Sequence, residues 1–149
     1  AYVAFESTAD QFDNANDPDT QPDIYRRSLG ANTTQLVDIS AGGTKGGPAQ
    51  RPTIDDSGEA VGWVSTTTAF DPADAVVADP DVYLKSGNAD PELISRADGN
   101  GGARSGDADG AAVSGDGTQV AMRVGSPRCL WKKCSTSAWP AAPTGRQAP

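Results

Sequence analysis

Apolar and polar residues alternate over short segments of this chain, and the first such segment begins almost at residue 1. Val3 and Phe5 alternate with Ala4 and Glu6, and a period of two is typical of a strand with one buried face. Two further segments of strand-like composition follow, at residues 23–27 and 34–38. A polar stretch separates the first two of these segments. The opening third of the chain therefore predicts three short strands and no helix.

The segment from residue 51 to residue 64 predicts a hairpin. Two short apolar runs flank Asp56-Ser57-Gly58. Glycine adopts a positive φ without a steric penalty, which a short hairpin loop commonly requires. The same arrangement returns at residues 111–122, where Gly117 takes the place of Gly58.

These segments recur at a fixed spacing. Val3 and Val61 are 58 residues apart, as are Asp23 and Asp81, and Gly58 precedes Gly117 by 59 residues. Self-similarity at a fixed period indicates a repeat architecture. Each unit contains four predicted strands, and four antiparallel strands fit one blade of a β-propeller, which buries its faces only against neighbouring blades.

The motifs of these units resemble the TolB-type, WD40-like β-propeller repeat. They are Val3-Ala4-Phe5-Glu6-Ser7-Thr8-Ala9, Asp23-Ile24-Tyr25-Arg26-Arg27-Ser28-Leu29 and Ile54-Asp55-Asp56-Ser57-Gly58. The resemblance covers about residues 1 to 122. Two departures are Ser57, where the family has Asp, and Gly62-Trp63, where it has Ala-Phe. The resemblance implies a binding scaffold without catalysis, in a periplasmic or extracellular bacterial protein.

The predicted fold is all-β, a partial propeller of four-stranded antiparallel blades with an irregular C-terminal tail. Blade 1 spans residues 1–50 and lacks its first strand, blade 2 spans 51–110, and blade 3 begins over 111–124. The expected apolar residues of blade 2 are Ile54, Val61, Trp63, Val82, Leu84, Leu93 and Ile94. Two and a half blades cannot close a ring, so the open strand edges need further blades or another copy of the chain.

Residues 125–149 break the repeat. They contain no Asp or Glu, but both cysteines and two of the three tryptophans. We interpret this segment as irregular or disordered: either a product of a reading-frame slip or a native tail. Cys129 and Cys134 lack the spacing of a zinc site. They are interpreted as incidental thiols, with a disulfide as the alternative.

Charge and composition limit the function. The formal net charge is −8, with 20 acidic and 12 basic residues, which disfavours nucleic acid and anionic membranes as partners. No apolar run approaches the roughly 20 residues of a membrane span. The chain has no histidine, so it cannot form a Ser-His-Asp or Cys-His catalytic site. The alternative to a scaffold is the propeller part of a larger, peptidase-like hydrolase whose catalytic domain lies outside this chain.

One loop has the composition of a cation site. It is rich in carboxylate and amide side chains: Asp13, Asn14, Asn16, Asp17 and Asp19. Calcium takes six to eight oxygen ligands, and such side chains supply them. The loop lacks the glycine and the distant glutamate of an EF-hand. The alternative, which we favour, is a set of Asx-turns in a solvated loop. Beyond calcium, the expected partner is a protein or a small ligand on the propeller face.

Overall fold

A computed structural model describes residues 1–13, 15–71, 79–96 and 108–124, together with the backbone of residues 132–135. The first sheet consists of β1 (Tyr2–Ser7), β2 (Asp23–Ser28) and β3 (Thr33–Leu36), hydrogen bonded in that order. Both pairings are antiparallel. A single turn of 3₁₀ helix at Asp10–Phe12 lies in the loop between β1 and β2.

The second sheet has four strands in sequence order. They are β4 (Ala49–Ile54), β5 (Ala60–Ser65), β6 (Asp81–Ser86) and β7 (Glu92–Leu93). The turn between β4 and β5 places Gly58 at φ 81°, as the hairpin prediction requires. A Cβ at Gly58 would also overlap the ring of Tyr2 in the first sheet. This turn therefore needs glycine both for its backbone conformation and for the contact between sheets.

The third sheet consists of β8 (Ala108–Val113), β9 (Gln119–Val124) and β10 (Lys132–Ser135), with β9 in the middle. The backbone of Lys132 lies opposite that of Met122. β10 falls inside residues 125–149, which the sequence predicted to be irregular or disordered. The rest of that segment lies outside the described residues, so the prediction of an irregular or disordered tail stays a prediction.

The all-β prediction is confirmed, since the described residues form antiparallel strands and only one 3₁₀ turn. β4 and β8 begin at Ala49 and Ala108, slightly before the predicted unit boundaries at residues 51 and 111. β3 and β7 end sooner than predicted. Their ladders stop where the side chains of Asp38 and Ser95 replace backbone groups as hydrogen-bond partners of β2 and β6.

The repeat is visible in equivalent backbone hydrogen bonds. Val37 N donates to Ile24 O in the first sheet, and Ile94 N donates to Val82 O in the second, both at 2.8 Å. The hydrogen bond at the first residue of each following sheet is also equivalent. Ala49 N donates to Pro22 O and Ala108 N donates to Pro80 O, both at 2.7 Å. The units therefore share one backbone plan.

The apolar core lies between stacked sheets. One cluster joins the first and second sheets and a second cluster joins the second and third. Every residue of β5 is buried, because the second sheet is covered on both faces. Of the seven predicted core residues of this sheet, six are buried and Ile54 is half-buried against the first cluster.

Trp63 is the largest side chain in this core and is fully buried. Its ring stacks on Tyr83 with centroids 6.1 Å apart and meets Phe70 edge-on at 6.4 Å. Such aromatic pairs contribute beyond the area that they bury. In the described part of the chain, no helix is long and apolar enough to cross a bilayer.

We predict that Trp63→Ala lowers the free energy of unfolding by about 3–5 kcal/mol, because the substitution leaves a large cavity between two sheets. Urea denaturation followed by circular dichroism measures this loss. The matched control is Leu29→Ala, since Leu29 is 58% exposed and its truncation is expected to cost less than about 0.5 kcal/mol. Equal losses in the two variants would contradict the assigned core.

Candidate functional site around Lys45

An acidic cluster forms where the loop after β1 enters β2, and the ammonium of Lys45 lies at its centre. Lys45 Nζ is 3.2 Å from Asp17 Oδ1, 2.9 Å from Asp19 Oδ1 and 2.9 Å from Asp23 Oδ1. Asp17 and Asp23 are fully buried, whereas the side chain of Asp19 is 45% exposed. The cluster is therefore reached from solvent at Asp19.

Local structure between β3 and β4 holds Lys45 in place. Lys45 forms an isolated antiparallel bridge with Ile39. Inside this bridge, Ser40 N donates to Thr44 O at 2.8 Å and Thr44 N donates to Ser40 Oγ at 2.9 Å. Gly43 turns the chain at φ 83°, a conformation that favours glycine. This tight loop returns the chain toward β2 and presents the lysine to the carboxylates.

The charges of the cluster shift one another's pKa. Burial alone would lower the pKa of Lys45, but its bonds to Asp19, Asp23 and Asp17 outweigh burial and raise it. Burial raises the pKa of Asp23 despite the contact with Lys45. For Asp17, hydrogen bonds from Tyr25 and Lys45 overcome burial and lower the pKa. Lys45 is thus held as a cation that compensates more than one carboxylate.

Tyr25 supports this cluster from the first sheet. Its hydroxyl donates to Asp17 Oδ2, and it also lies 3.3 Å from the carbonyl oxygen of Ala9. The ring stacks on Phe5 at 5.6 Å and meets Phe12 edge-on at 5.3 Å. Burial and the Asp17 carboxylate raise the pKa of Tyr25, so the phenol remains a donor. The 3₁₀ turn that carries Phe12 is thereby tied to the acidic loop.

Asp38 is a third buried carboxyl group at this site, after Asp17 and Asp23. Its Oδ1 accepts a hydrogen bond from Ile24 N at 3.0 Å. Burial and the charge of Asp23 raise the pKa of Asp38 to about 8.

The second sheet provides an internal comparison for this pair. Ser95 occupies the position of Asp38, and its Oγ accepts from Val82 N at 3.1 Å while donating to Asp81 Oδ1 at 2.6 Å. A hydroxyl performs both roles without a charge. In the first sheet Asp38 performs the accepting role toward Ile24 N, and burial together with the charge of Asp23 raises its pKa.

The structure separates the residues of the predicted calcium loop. Asp13 and Asn16 pair with each other, Nδ2 donating to Oδ1 at 2.9 Å. Asp17 and Asp19 lie in the acidic cluster. Asn14 lies outside the described residues. The carboxylate oxygens of Asp17, Asp19 and Asp23 all lie within 4.8 Å of one another. This is a cation-binding geometry, and the calcium hypothesis stays a prediction in which a metal ion competes with the Lys45 ammonium.

Sequence reasoning did not find Lys45 or Asp38. Lys45 is the only cationic residue between residues 41 and 50, and its isolation in that connection was the available signal. Asp38 differs from the equivalent Ser95, a difference between repeats that points to a distinct environment. Neither signal identifies the partners, because those come from another loop. Other acidic residues form separate ion pairs: Asp71 with Arg96 and Asp109 with Arg123.

Comparison with known proteins shows which fold this chain resembles. No protein-family model matches the chain, and no curated protein matches its sequence. Among solved structures, the chain is similar to a crystal structure of TolB from Acinetobacter baumannii, with a TM-score of 0.51 and 14% sequence identity. The match covers 89% of this chain and 26% of that protein. The similarity supports a TolB-like fold, and the chain spans about a quarter of that protein's length.

We predict that Asp38→Ser removes a pH dependence of stability. The folded-state pKa of about 8 lies above the ordinary value of 3.8, so the folded state holds a proton that the unfolded chain has released. Stability of the native protein therefore falls as the pH rises from about 4 to about 8, by at most about 1.4 kcal/mol per pH unit for one such group. The serine variant lacks this contribution and should be more stable than the native chain at pH 8.

Urea midpoints measured between pH 5 and pH 9 test this expectation. Asp116→Asn is the control, because hydrogen bonds from Ser114 and Thr118 lower the pKa of Asp116 and it titrates below this range. An unchanged pH slope in Asp38→Ser would mean that Asp38 is ionised in the folded protein.

We predict that Lys45→Met destabilises the chain by about 3–5 kcal/mol at pH 7, since it leaves buried carboxylates without their counter-charge. Millimolar calcium should then restore part of the melting temperature, and it should stabilise the native chain less because the ammonium competes. Differential scanning calorimetry with and without calcium measures both effects. Magnesium serves as the comparison, because it binds less readily to an irregular oxygen site. The calcium hypothesis is abandoned if neither protein responds to calcium.

Proposed function

We propose that this chain is a non-catalytic β-propeller segment that acts as a protein-interaction scaffold. The TolB-like arrangement of stacked antiparallel sheets supports this proposal, as does the lack of histidine in the chain. The single observation that carries it is the edge of β1 that no other described strand covers.

Among the described strands, the first sheet differs from the other two at one edge. In the second sheet β4 pairs with β5, and in the third sheet β8 pairs with β9. β1 is the equivalent of β5, and among the described strands it pairs only with β2. Tyr2 and Val3 of β1 are 38% and 45% exposed. An exposed edge of this kind accepts an extended segment, with main-chain hydrogen bonds supplying affinity.

The other two sheets indicate what kind of segment fits. Ala49 of β4 lies opposite Ser65, and Ile54 lies opposite Val61. The equivalent positions on β1 are Ser7 and Val3. A fitting segment therefore has a small residue at one end and a β-branched apolar residue five positions later. The partner is a polypeptide in extended conformation, supplied by the remaining blades of a propeller, by another protein or by another copy of this chain.

A periplasmic or extracellular location is part of the proposal, and it rests on the family resemblance. The acidic surface agrees with a protein partner that is neutral or basic, because an anionic partner would be repelled.

The proposal is tested with a synthetic peptide of residues 49–58, the sequence of β4 and its turn, added to the intact chain. We expect saturable binding in calorimetry and amide shifts confined to β1 in NMR spectra. Two sets of peptides, N-methylated at alternate residues, distinguish strand addition from other modes of binding. One alternating set faces β1 and should bind at least about tenfold more weakly, because several main-chain hydrogen bonds are lost.

The other alternating set is the matched control and should bind as well as the unmodified peptide. Equal binding of the two sets, or shifts on β3 in place of β1, would contradict strand addition at this edge. Binding that weakens equally in both sets would indicate only a hydrophobic contact.

A further inference from the structure

A cleft of about 370 Å³ opens between the first and second sheets. Leu36, Val37 and Val61 form part of its wall. Two cationic side chains, Arg26 and Lys85, also line it. Arg26 belongs to β2 and Lys85 belongs to β6, so they approach the cleft from opposite sheets. The volume is within the range of small-ligand sites, which begin at roughly 300 Å³.

The cleft exists because the repeat departs from its own pattern. Arg26 in the first sheet is equivalent to Leu84 in the second, 58 residues later. Leu84 is buried in the apolar cluster between the second and third sheets. Where Leu84 closes one interface with apolar packing, Arg26 places a guanidinium in the other. Buried charges are costly to keep without a compensating role, so this substitution marks the first interface as different.

Arg26 is held across the interface. Its Nη1 donates to the carbonyl oxygen of Gly58 at 2.6 Å, and its Nη2 donates to Gln35 Oε1 at 2.8 Å. The nearest carboxylate is that of Glu59, at 3.9 Å with a side chain 61% exposed. The guanidinium also lies 5.5 Å from the centroid of the Tyr2 ring. Its hydrogen-bonded partners are neutral and the ion pair is long, so no buried carboxylate among the described residues neutralises this charge.

Lys85 faces Arg26 from the second sheet. Its Nζ donates to the carbonyl oxygen of Ile39 at 2.5 Å. Within the described chain, no carboxylate oxygen forms an ion pair with this ammonium. Burial lowers the pKa of Lys85, and the charge of Arg26 lowers it further, while Asp90 and Asp38 raise it. Two like charges beside one cleft repel each other, and a bound anion would relieve that repulsion.

We propose that this cleft binds a small monocarboxylate with an apolar body, its carboxylate between Lys85 and Arg26. The apolar wall contacts the body of the ligand. Asp13 and Glu59 also line the cleft, and their charges disfavour ligands with two or more negative charges. A single carboxylate on an aliphatic or aromatic body satisfies the cations, the wall and the acidic rim together.

The experiment compares acids with their neutral amides on the intact chain. Calorimetry and ¹⁵N NMR are performed with hexanoate, benzoate, hexanamide, benzamide and inorganic phosphate. We expect each carboxylate to bind at least about tenfold more tightly than its amide, the order of one charge-assisted hydrogen bond. Amide shifts should map to Gln35, Ile39 and Gly87 around the cleft, and the third sheet should not respond.

Two variants locate the binding groups. Lys85→Met should weaken hexanoate binding at least about tenfold. Arg26→Leu should also weaken it and should fold, because Leu84 occupies the equivalent position in the second sheet. Arg27→Gln is the matched control. Its guanidinium bonds Thr34 and Asn32 on the other face of β2, so binding should be unchanged.

Three outcomes would overturn the proposal. The first is a lack of saturable binding of either carboxylate at concentrations up to about 10 mM, which corresponds to a binding free energy weaker than about −3 kcal/mol. The second is equal affinity of an acid and its amide. The third is phosphate binding as tight as carboxylate binding, which would indicate general attraction of anions. The NMR map of the unmodified chain decides the site even if a variant fails to fold.

Discussion

The burial of sheet faces against one another is the constraint on which the rest of this structure depends. An isolated sheet of three or four short strands cannot bury its apolar side chains away from water. In this protein the second sheet is covered on both faces, and β5 is buried along its whole length. Trp63 and Tyr83 fill the space toward the first sheet. The turns and connections are then placed by the stacking, and they carry the polar features.

The same stacking forces charged groups into a medium of low polarity, and the protein compensates them by distinct means. Asp23 forms an ion pair with the ammonium of Lys45. Its counterpart Asp81 receives the hydroxyl of Ser95. The buried aspartate of the first sheet is thus compensated by a cation, and the equivalent aspartate of the second sheet is compensated by a neutral donor. The electrostatic complexity is concentrated in the first sheet and in its contact with the second.

Differences between equivalent positions identify where the chain departs from a purely structural repeat. Asp38 replaces the hydroxyl of Ser95, and Arg26 replaces the apolar Leu84. Each replacement places an ionisable side chain where the equivalent position of the second sheet has a neutral one. A repeat protein contains its own reference state, so these departures can be interpreted without other sequences. The candidate sites lie at these departures, and the shared positions form the core.

The sequence by itself determined the strands, the spacing of the units and most of the core. Alternation of apolar residues and the glycine of a tight turn act over a few residues, so Val61, Gly58 and their repeats carry that information locally. It did not determine the partners of Lys45, the raised pKa of Asp38 or the placement of Arg26 and Lys85 beside one cleft. These side chains belong to segments that come together only when the sheets stack. Their pKa values and ion pairs depend on burial and on neighbours across an interface. Only the tertiary structure determines both.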